Sequence, residues 1–414
     1  MCKPLTILAS WSISFLLCSS EGVAQSIDDN GVNPVGWRDV SVQDVHYGRG
    51  NVSGRIYYPA VTAGRGSIAD PNSGPFPLVS FMHGWTQVAS EYDDLCTHLA
   101  SWGFVVMSNN TETGVLFATM QNQARDTRAL MQWVEDQSQD AGSWLAGMVN
   151  LGDWGAFGHS MGGGATAYLL DYDSRVRDVA MLEPYLGPLL GGTTAAFNRF
   201  DDFDGSVLVL GASLDLTNNW LLVVRPWYAQ ATGADRRAWA LVEGGDHFGS
   251  TDWAGFGGTL AGAEQNRMHR RFSTGFFRAE MLGQANVWHD LLGGGIEGNP
   301  VSTEGAGTQP TMWALEDPAQ PTHLRIGTFG NLGARARFAA ALAPGSFPTP
   351  WGTANLDPAT LQQIHDQVIL NTDGVVEVSL FPRGLPSGTS IWLQSALTQG
   401  ASGALSNSLE AVIP

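Results

Sequence analysis

A Gly-x-Ser-x-Gly segment constrains the fold of this chain more than any other feature. Residues 158–162 read Gly-His-Ser-Met-Gly, between an apolar run that ends in Phe157 and a helix-forming stretch from Ala165 to Leu170. A serine on a sharp strand-to-helix turn leaves no room for side chains two residues before and after it. The segment therefore predicts a nucleophile elbow at Ser160. Because the chain holds 51 glycines in 414 residues, the pentapeptide also arises easily by chance, and the assignment needs partners elsewhere.

Short apolar runs alternate with helical patterns on both sides of this elbow. Helical spacing predicts a long helix over roughly 116–137 and another between residues 265 and 282. Short buried strands alternating with helices favour a mainly parallel sheet covered on both faces, in which chemistry collects at the carboxyl ends of the strands. The runs that read as strands are Leu78–Met82, Phe104–Met107, Val179–Leu182, Val207–Leu210 and Trp239–Val242.

Two polar residues after the serine follow strand ends, first an acid and then a histidine. Asp215 lies just past the strand that ends at Leu210, where its carboxylate can orient a histidine. His247 lies just past the last strand, after both the serine and the acid. We therefore predict a catalytic triad of Ser160, His247 and Asp215, since a serine hydroxyl needs an adjacent base. Alternative acids remain open, namely Glu183, Asp201, Asp202 and Asp204.

An oxyanion-stabilising pair of amides is the remaining requirement. The backbone N–H of Met161 opens the helix after the serine, and the loop His83-Gly84-Trp85 follows an early strand. We predict that the amides of Trp85 and Met161 form an oxyanion hole. The alternative is an ordinary turn with a packed tryptophan. His159 neighbours the serine in sequence and is interpreted as structural.

Composition and the first residues restrict partners and compartment. The net charge of −18 opposes binding to nucleic acid. Residues 1–24 combine Lys3 with a short apolar stretch and small residues at 22–24, which predicts a secretion signal and a secreted protein. A lipid anchor at Cys18 is the alternative. Without the signal, Cys96 is the sole cysteine and is expected to be buried, so no internal disulfide is possible. No later apolar stretch is long enough to span a membrane.

The pattern changes towards the end of the chain. Residues 293–321 are rich in glycine, threonine and proline and predict a linker. Residues 322–414 hold several strand-like runs separated by turn residues, which predicts a small antiparallel β-sandwich. This region shows no triad and no metal-ligand spacing. Its role stays open between binding a surface or polymer, sorting, and covering the preceding domain.

Roughly residues 40–290 resemble the α/β-hydrolase superfamily. The resemblance is to its secreted cutinase-like polyester hydrolases of the PET-hydrolase type, and to the dienelactone-hydrolase and platelet-activating-factor acetylhydrolase groups. It implies an α/β-hydrolase domain over residues 25–292 followed by a β-rich appendage. It also implies that Trp85 and Tyr185 form an aromatic substrate clamp, with core or rim packing as the alternative. The segments that carry it are 82–86, 99–106, 158–163, 211–215 and 245–248.

Motifs and resemblance together predict a secreted serine hydrolase of carboxylic esters. Ser160 attacks the ester, His247 transfers the proton, and Asp215 orients His247, so neither cofactor nor metal is required. We expect a monomer that acts on a polymer or lipid ester. The alternatives are a lipid-type acetylhydrolase, a small-ester esterase or peptidase, and a secreted binding protein with an inactive hydrolase domain. Polyester hydrolases usually carry a C-terminal disulfide, which this chain lacks, and residues 251–264 form an insertion after the histidine.

Overall fold

A computed structural model describes residues 25–152, 154–369 and 373–414. The predicted signal at residues 1–24 and the alternative anchor at Cys18 lie outside this part of the chain. In the described ranges, no helix combines the length and the apolar character needed to cross a bilayer.

A ten-stranded sheet forms the centre of the first part of the molecule, with the strand order β10-β9-β8-β7-β6-β4-β5-β2-β1-β3. In this order, the strands from β9 to β5 run parallel. Strand β2 pairs antiparallel with both β5 and β1, β10 pairs antiparallel with β9, and the short β3 pairs parallel with β1. Its strands are β1 (Val35–Gln43), β2 (Asn51–Pro59), β3 (Gly64–Arg65), β4 (Leu78–Met82), β5 (Val105–Asn109), β6 (Trp154–His159), β7 (Val176–Leu182), β8 (Ser206–Ala212), β9 (Arg236–Val242) and β10 (Val301–Ala306).

Helices cover both faces of this sheet. One apolar core lies under α2, α3 and α4, and a second lies under α1, α5 and α6. All residues of β4, β5, β6 and β8 are buried, as expected for strands covered on two sides. The predicted α/β architecture is confirmed. The helices are α1 (Asp93–Ser101), α2 (Met120–Gln139), α3 (Met161–Leu169), α4 (Arg225–Gln230), α5 (Gly262–Met281) and α6 (Val287–Leu291).

The helix expected from residue 116 begins four residues later. The side chain of Thr119 accepts a hydrogen bond from the backbone N–H of Asn122 at 3.1 Å and caps α2. Leu116, which fitted the helical spacing, lies in the preceding loop and is 72% exposed. Cys96 is buried, as its place on the apolar face of α1 predicted.

The C-terminal part consists of antiparallel sheets. One sheet has the order β11-β12-β17, a second has the order β16-β13-β18-β19, and β14 and β15 form a hairpin. The two larger sheets enclose a separate apolar core, so the predicted β-sandwich is confirmed as a fold. Its strands are β11 (Thr311–Glu316), β12 (Leu324–Phe329), β13 (Arg335–Ala341), β14 (Pro344–Thr349), β15 (Gly352–Leu356), β16 (Gln362–Val368), β17 (Val375–Leu380), β18 (Ser390–Gln399) and β19 (Ser402–Val412).

Residues 293–321 are not the linker that their composition predicts. Strand β10 pairs with β9 in the main sheet, with Val301 opposite Val242 and Ala306 opposite Arg237. Strand β11 then pairs with β12 in the sandwich. The prediction was wrong here because strand pairing with distant residues overrides a local composition rich in glycine and threonine. The sandwich accordingly begins at β11, before residue 322.

The sandwich packs directly against the main sheet's second core. Trp313, Phe329 and Val375 belong to the same apolar cluster as residues of α5 and α6. The rings of Phe329 and Trp288 lie 4.8 Å apart, and Trp313 Nε1 donates to a carboxylate oxygen of Glu377 at 2.7 Å. The two regions therefore share buried apolar surface.

Candidate active site

Ser160 lies on a strained turn between β6 and α3. Its φ of 53° and ψ of −114° fall in a region that side chains rarely adopt. A Cβ atom on Gly158 would lie 2.4 Å from the carbonyl oxygen of Gly162, and one on Gly162 would lie 2.0 Å from that of Met82. The two glycines thus let the backbone close tightly around the serine.

The structure brings Ser160, His247 and Asp215 into one hydrogen-bonded chain. Ser160 Oγ lies 3.0 Å from His247 Nε2. The other ring nitrogen of His247, Nδ1, lies 2.7 Å from Asp215 Oδ2. All three residues are buried, with 7%, 5% and 3% of their surfaces exposed. This arrangement allows proton transfer from the serine hydroxyl to an oriented imidazole.

The loop after β8 holds Asp215 in place. Asp215 Oδ1 accepts hydrogen bonds from the backbone N–H groups of Thr217 and Asn218, each at 2.7 Å. These bonds use the oxygen that does not face His247, so the carboxylate stays oriented towards the ring. The amide group of Asn218 also donates to the carbonyl oxygen of Glu183 at 2.7 Å, which ties this loop to the end of β7.

The loop after β4 lies beside the start of α3. Thr86 has a φ of 64°, and Gly84 N–H donates to Tyr92 Oη at 3.1 Å, so the turn that contains Trp85 is held in an unusual conformation. The close approach of Gly162 to the carbonyl oxygens of Met82 and His83 brings this turn next to the serine. In the described part of the chain, the backbone amides of Trp85 and Met161 donate to no protein acceptor. Both amides are thus available to an oxyanion.

His159 is a buried structural neighbour of His247. Its Nε2 donates to the carbonyl oxygen of His247 at 2.7 Å, and Tyr92 Oη lies 2.7 Å from its Nδ1. Its ring centroid lies 4.7 Å from that of His247. Burial, together with the nearby His247, lowers the pKa of His159 well below the ordinary value, so this ring stays neutral. It supports the backbone of His247.

Glu183, the alternative acid after β7, faces a different histidine. Its Oε1 lies 2.8 Å from Nε2 of His269 on α5, and both side chains are fully buried. Burial raises the pKa of Glu183. Burial alone would lower the pKa of His269, but the charge and hydrogen bond of Glu183, together with the hydrogen bond to the carbonyl oxygen of Gln265, raise it. The pair joins α5 to the sheet, and sequence reasoning missed it because His269 lacks a strand-end position.

The three other alternative acids lie away from this arrangement. Asp201, Asp202 and Asp204 are exposed residues of the segment between β7 and β8. Arg177 pairs with Asp204 at 3.0 Å.

Trp85 and Tyr185, the residues of the expected clamp, lie on the loops that flank the serine. The backbone N–H of Tyr185 donates to the carbonyl oxygen of Ser160 at 2.8 Å. Both side chains are partly buried and pack against the first apolar core. Their positions suit either a wall of the site or rim packing.

An exposed group of apolar side chains follows the carboxyl ends of β5, β7, β8 and β9. We call these residues the apolar rim. Carboxyl ends of parallel strands share one edge of a sheet, so the rim lies on the same side of the molecule as Ser160. Its members are Val115, Leu116, Phe117, Leu189, Leu214, Leu216, Leu221, Leu222, Trp253 and Phe256, with exposed fractions from 38% to 97%.

A row of aromatic side chains connects this rim to His247. The ring of Phe248 lies 5.2 Å from that of His247 and 4.6 Å from that of Trp253. Phe256 lies 6.4 Å from Phe248. The insertion after His247 therefore extends the apolar surface outward from His247. Within the described residues, no group of histidine, cysteine, aspartate or glutamate side chains has the arrangement of a metal site.

A parallel sheet with a serine elbow at one strand end, and an acid and a histidine after later strands, defines an α/β-hydrolase. A family model described as PETase, PET hydrolase-like, matches residues 31–264, more than half of the chain. The chain belongs to the PET hydrolase-like family.

Curated relatives are distant in sequence. Cutinase est2 of Thermobifida alba is 26% identical over 196 residues, which cover 47% of this chain and 57% of that protein. The bis(hydroxyethyl) terephthalate hydrolase of Streptomyces coelicolor is also 26% identical over 196 residues, covering 47% and 55%. Chlorophyllase-1 of Citrus sinensis is 26% identical over 151 residues, covering 36% and 45%. The chain thus spans about half the length of these relatives.

Proposed function

We propose that this protein hydrolyses carboxylic esters, with Ser160 as the nucleophile. The observation that carries the proposal is the hydrogen-bonded chain from Ser160 Oγ through His247 to Asp215. Its relatives include a cutinase and a bis(hydroxyethyl) terephthalate hydrolase. The same chain of contacts argues against the alternative of a binding protein with an inactive hydrolase domain.

The reaction runs through an acyl-enzyme. Ser160 Oγ attacks the ester carbonyl carbon while His247 Nε2 takes the hydroxyl proton, and Asp215 stabilises the resulting imidazolium. The amides of Trp85 and Met161 donate to the tetrahedral oxyanion. The oxyanion collapses, His247 gives its proton to the leaving alcohol, and the acyl group stays on Ser160. Water, deprotonated by His247, then attacks the acyl carbon. The bond between the acyl carbon and Ser160 Oγ breaks, His247 returns the proton to Ser160 Oγ, and the acid is released.

A polymeric or aggregated ester is the substrate that the surface favours. Exposed apolar patches on soluble proteins mark binding surfaces, and the apolar rim lies on the same side of the sheet as the serine. The net charge of −18 disfavours an anionic membrane and is compatible with an uncharged polyester surface. Trp85 and Tyr185 would contact the chain segment that enters the site.

The proposal is tested by measuring hydrolysis of p-nitrophenyl esters and of an amorphous polyester film. The first substrate tests ester hydrolysis, and the second tests action on a polymer. Activity on both, absent from Ser160→Ala, supports a polyester hydrolase. Cleavage of short esters without product release from the film would leave a small-ester esterase and assign Trp85 and Tyr185 to packing. No turnover of any ester would refute the catalytic assignment.

Matched surface variants test whether the apolar rim contributes to film hydrolysis independently of the catalytic reaction. Leu222→Ser is expected to reduce film hydrolysis about threefold and to leave p-nitrophenyl butyrate hydrolysis unchanged, since one exposed apolar contact contributes well under 1 kcal/mol. Ile68→Ser is the control, because Ile68 is 73% exposed against 75% for Leu222 and lies before β4, at the opposite edge. Equal effects of the two variants would remove the rim from the proposal.

We also propose that the protein is secreted, with residues 1–24 as the signal. Lys3, the short apolar stretch and the small residues at 22–24 support this. Sequencing the N-terminus of the secreted protein should give a start near Gln25. A start at Cys18 carrying lipid would instead support the anchor.

A further inference from the structure

The C-terminal sandwich contains an apolar cavity that the proposed catalytic reaction does not use. It lies between the β11-β12-β17 sheet and the β16-β13-β18-β19 sheet, at one end of the sandwich. Its volume is about 570 Å³. Cavities of this size are typical of small-molecule sites, whereas packed protein interiors leave few voids larger than a water molecule.

Small side chains at one end of β13 create this space. Phe338 is fully buried and fills the sandwich core. Two residues later on the same side of the strand, Ala340 lines the cavity, and Ala341 follows it. Leu324 and Ile326 of β12 form another part of the wall. The wall at this point is therefore apolar. A longer side chain on β13 would fill the space and close the core.

The mouth of the cavity carries a positive charge. Arg383 lies in the turn after β17, lines the cavity and is exposed. No described carboxylate forms an ion pair with it. Asp357 belongs to the turn that contributes Ala359 and Thr360 to the cavity wall, and its carboxylate accepts hydrogen bonds within that turn, from Thr360 Oγ1 at 2.9 Å and Ala359 N–H at 3.0 Å. An apolar pocket with a guanidinium at its entrance complements a molecule with an apolar tail and a carboxylate head.

We propose that this cavity binds the apolar tail of an organic carboxylate, with the carboxylate held by Arg383. Two kinds of molecule have a carboxylate head and an apolar tail of this kind: a free fatty acid, and the acid end of a polyester chain. The site goes beyond the proposed hydrolysis and does not depend on it. If the hydrolysis also holds, the enzyme's own acid products belong to the class of ligand bound here.

Isothermal titration of decanoate into the mature Ser160→Ala protein tests the site without turnover. We expect saturable binding with one ligand per chain. Arg383→Gln should weaken it at least fivefold, and decanol, which lacks the charge, should bind the parent at least fivefold more weakly than decanoate. Arg65→Gln is the matched control, since Arg65 is also exposed but lies on the main sheet. The absence of saturable binding, or equal binding of decanoate and decanol, would overturn the proposal.

Filling the cavity gives a second variant. Ala340→Phe should abolish decanoate binding while p-nitrophenyl butyrate hydrolysis in the Ser160 background stays unchanged. Full decanoate binding by a folded Ala340→Phe protein would place the ligand elsewhere and refute the site. If Ala340→Phe unfolds, two other measurements still test the proposal: decanoate binding by Arg383→Gln, and decanol binding by the parent protein.

Competition distinguishes the two sources. An acid-ended caprolactone oligomer that displaces decanoate, where its methyl-ester-capped counterpart does not, supports binding of polymer chain ends. Displacement by neither oligomer supports a site for free acids. Equal displacement by the capped oligomer would contradict the role of Arg383. Because these measurements use Ser160→Ala, failure of ester hydrolysis would leave their interpretation unchanged.

Discussion

Glycines in two regions of the molecule approach neighbours of different kinds. At the serine elbow, a Cβ on Gly162 would meet the backbone oxygen of Met82 at 2.0 Å. In the sandwich, a Cβ on Gly330 would meet Cδ2 of Leu397 at 2.2 Å, the end of a flexible side chain. Backbone cannot move aside without disturbing the sheet, whereas a leucine can change its rotamer. Glycine is therefore required at position 162, whereas position 330 can accept a small side chain if Leu397 moves.

The same contrast holds for function. The site in the main sheet depends on named side chains at fixed strand ends, each with a hydrogen-bond partner. The sandwich cavity depends on the absence of large side chains, since alanines leave space between the two sheets. Removing a functional group should therefore abolish the function of the first region, whereas filling the cavity should abolish ligand binding in the second. Four predictions test this difference, beginning with the largest effect.

Loss of the nucleophile is expected to have the largest effect. Ser160→Ala should lower kcat for p-nitrophenyl butyrate by at least about 10⁴-fold, because members of a triad act as a unit. For the same reason, the double variant Ser160→Ala/His247→Ala should be no worse than either single variant. Single-turnover kinetics measures both. Substantial activity in Ser160→Ala would mean that another residue is the nucleophile. The comparison between the two regions would then lose its basis.

A pair of glycine variants compares the two regions directly. Gly162→Ala should lower the free energy of unfolding by more than about 4 kcal/mol, at the upper end of single substitutions, because backbone must shift. Gly330→Ala should cost about 1 kcal/mol, because Leu397 can rotate. Urea denaturation of both proteins gives the two values. Similar losses would mean that the sandwich is as tightly specified as the elbow.

Trp313 tests how far the two regions are separate. It is fully buried and belongs to the apolar cluster shared with α5 and α6. Trp313→Ala should lower the free energy of unfolding by about 3–4 kcal/mol, and the loss should reach the main sheet. Hydrogen exchange should then show reduced protection in β9 as well as β12. Trp392→Ala on β18 is the control, since Trp392 is only partly buried. Loss confined to the sandwich would indicate independent folding units.

A buried histidine should make the first region sensitive to acid. His98 is fully buried, with Nε2 2.9 Å from the carbonyl oxygen of Asp29 and Nδ1 2.8 Å from Thr274 Oγ1. Burial, aided by the charge of Arg270, lowers the pKa of His98 from 6.5 to about 4. The folded state thus binds this proton less well than the unfolded state. Stability from His98 is complete above pH 6.5 and is lost as the pH falls towards 4.

The size of this acid effect can be measured against a variant. Between pH 7 and 4.5, the wild type should lose about 2 kcal/mol more unfolding free energy than His98→Gln, which can keep both hydrogen bonds. An equal pH dependence for wild type and His98→Gln would contradict the assignment.

The fold of the main sheet and the order of its site residues could be predicted because their signals are local. A strained turn needs glycines at fixed spacing, and an acid or base at a strand end follows directly from the apolar run before it. Ser160, Asp215 and His247 were singled out on this basis, and the structure places them in contact. Their catalytic roles stay a prediction until variants are measured.

Long-range contacts could not be predicted in the same way. The buried Glu183–His269 pair joins residues 86 positions apart, and neither has a motif. The start of α2 was placed too early because Leu116 fits the helical period although it lies outside the core. The cavity beside Ala340 had no signal at all, since alanines in a strand are as compatible with a filled core as with an empty one.

Strand β10 has a consequence for any attempt to shorten the protein. It lies at the end of the main sheet and pairs along its whole length with β9. A chain ending near residue 292 would leave the backbone N–H and C=O groups of β9 open to pairing with another molecule. Exposed strand edges of this kind promote self-association. A chain that ends near residue 292 should therefore self-associate more than one that extends through Ala306, although the proposed catalytic residues end at His247.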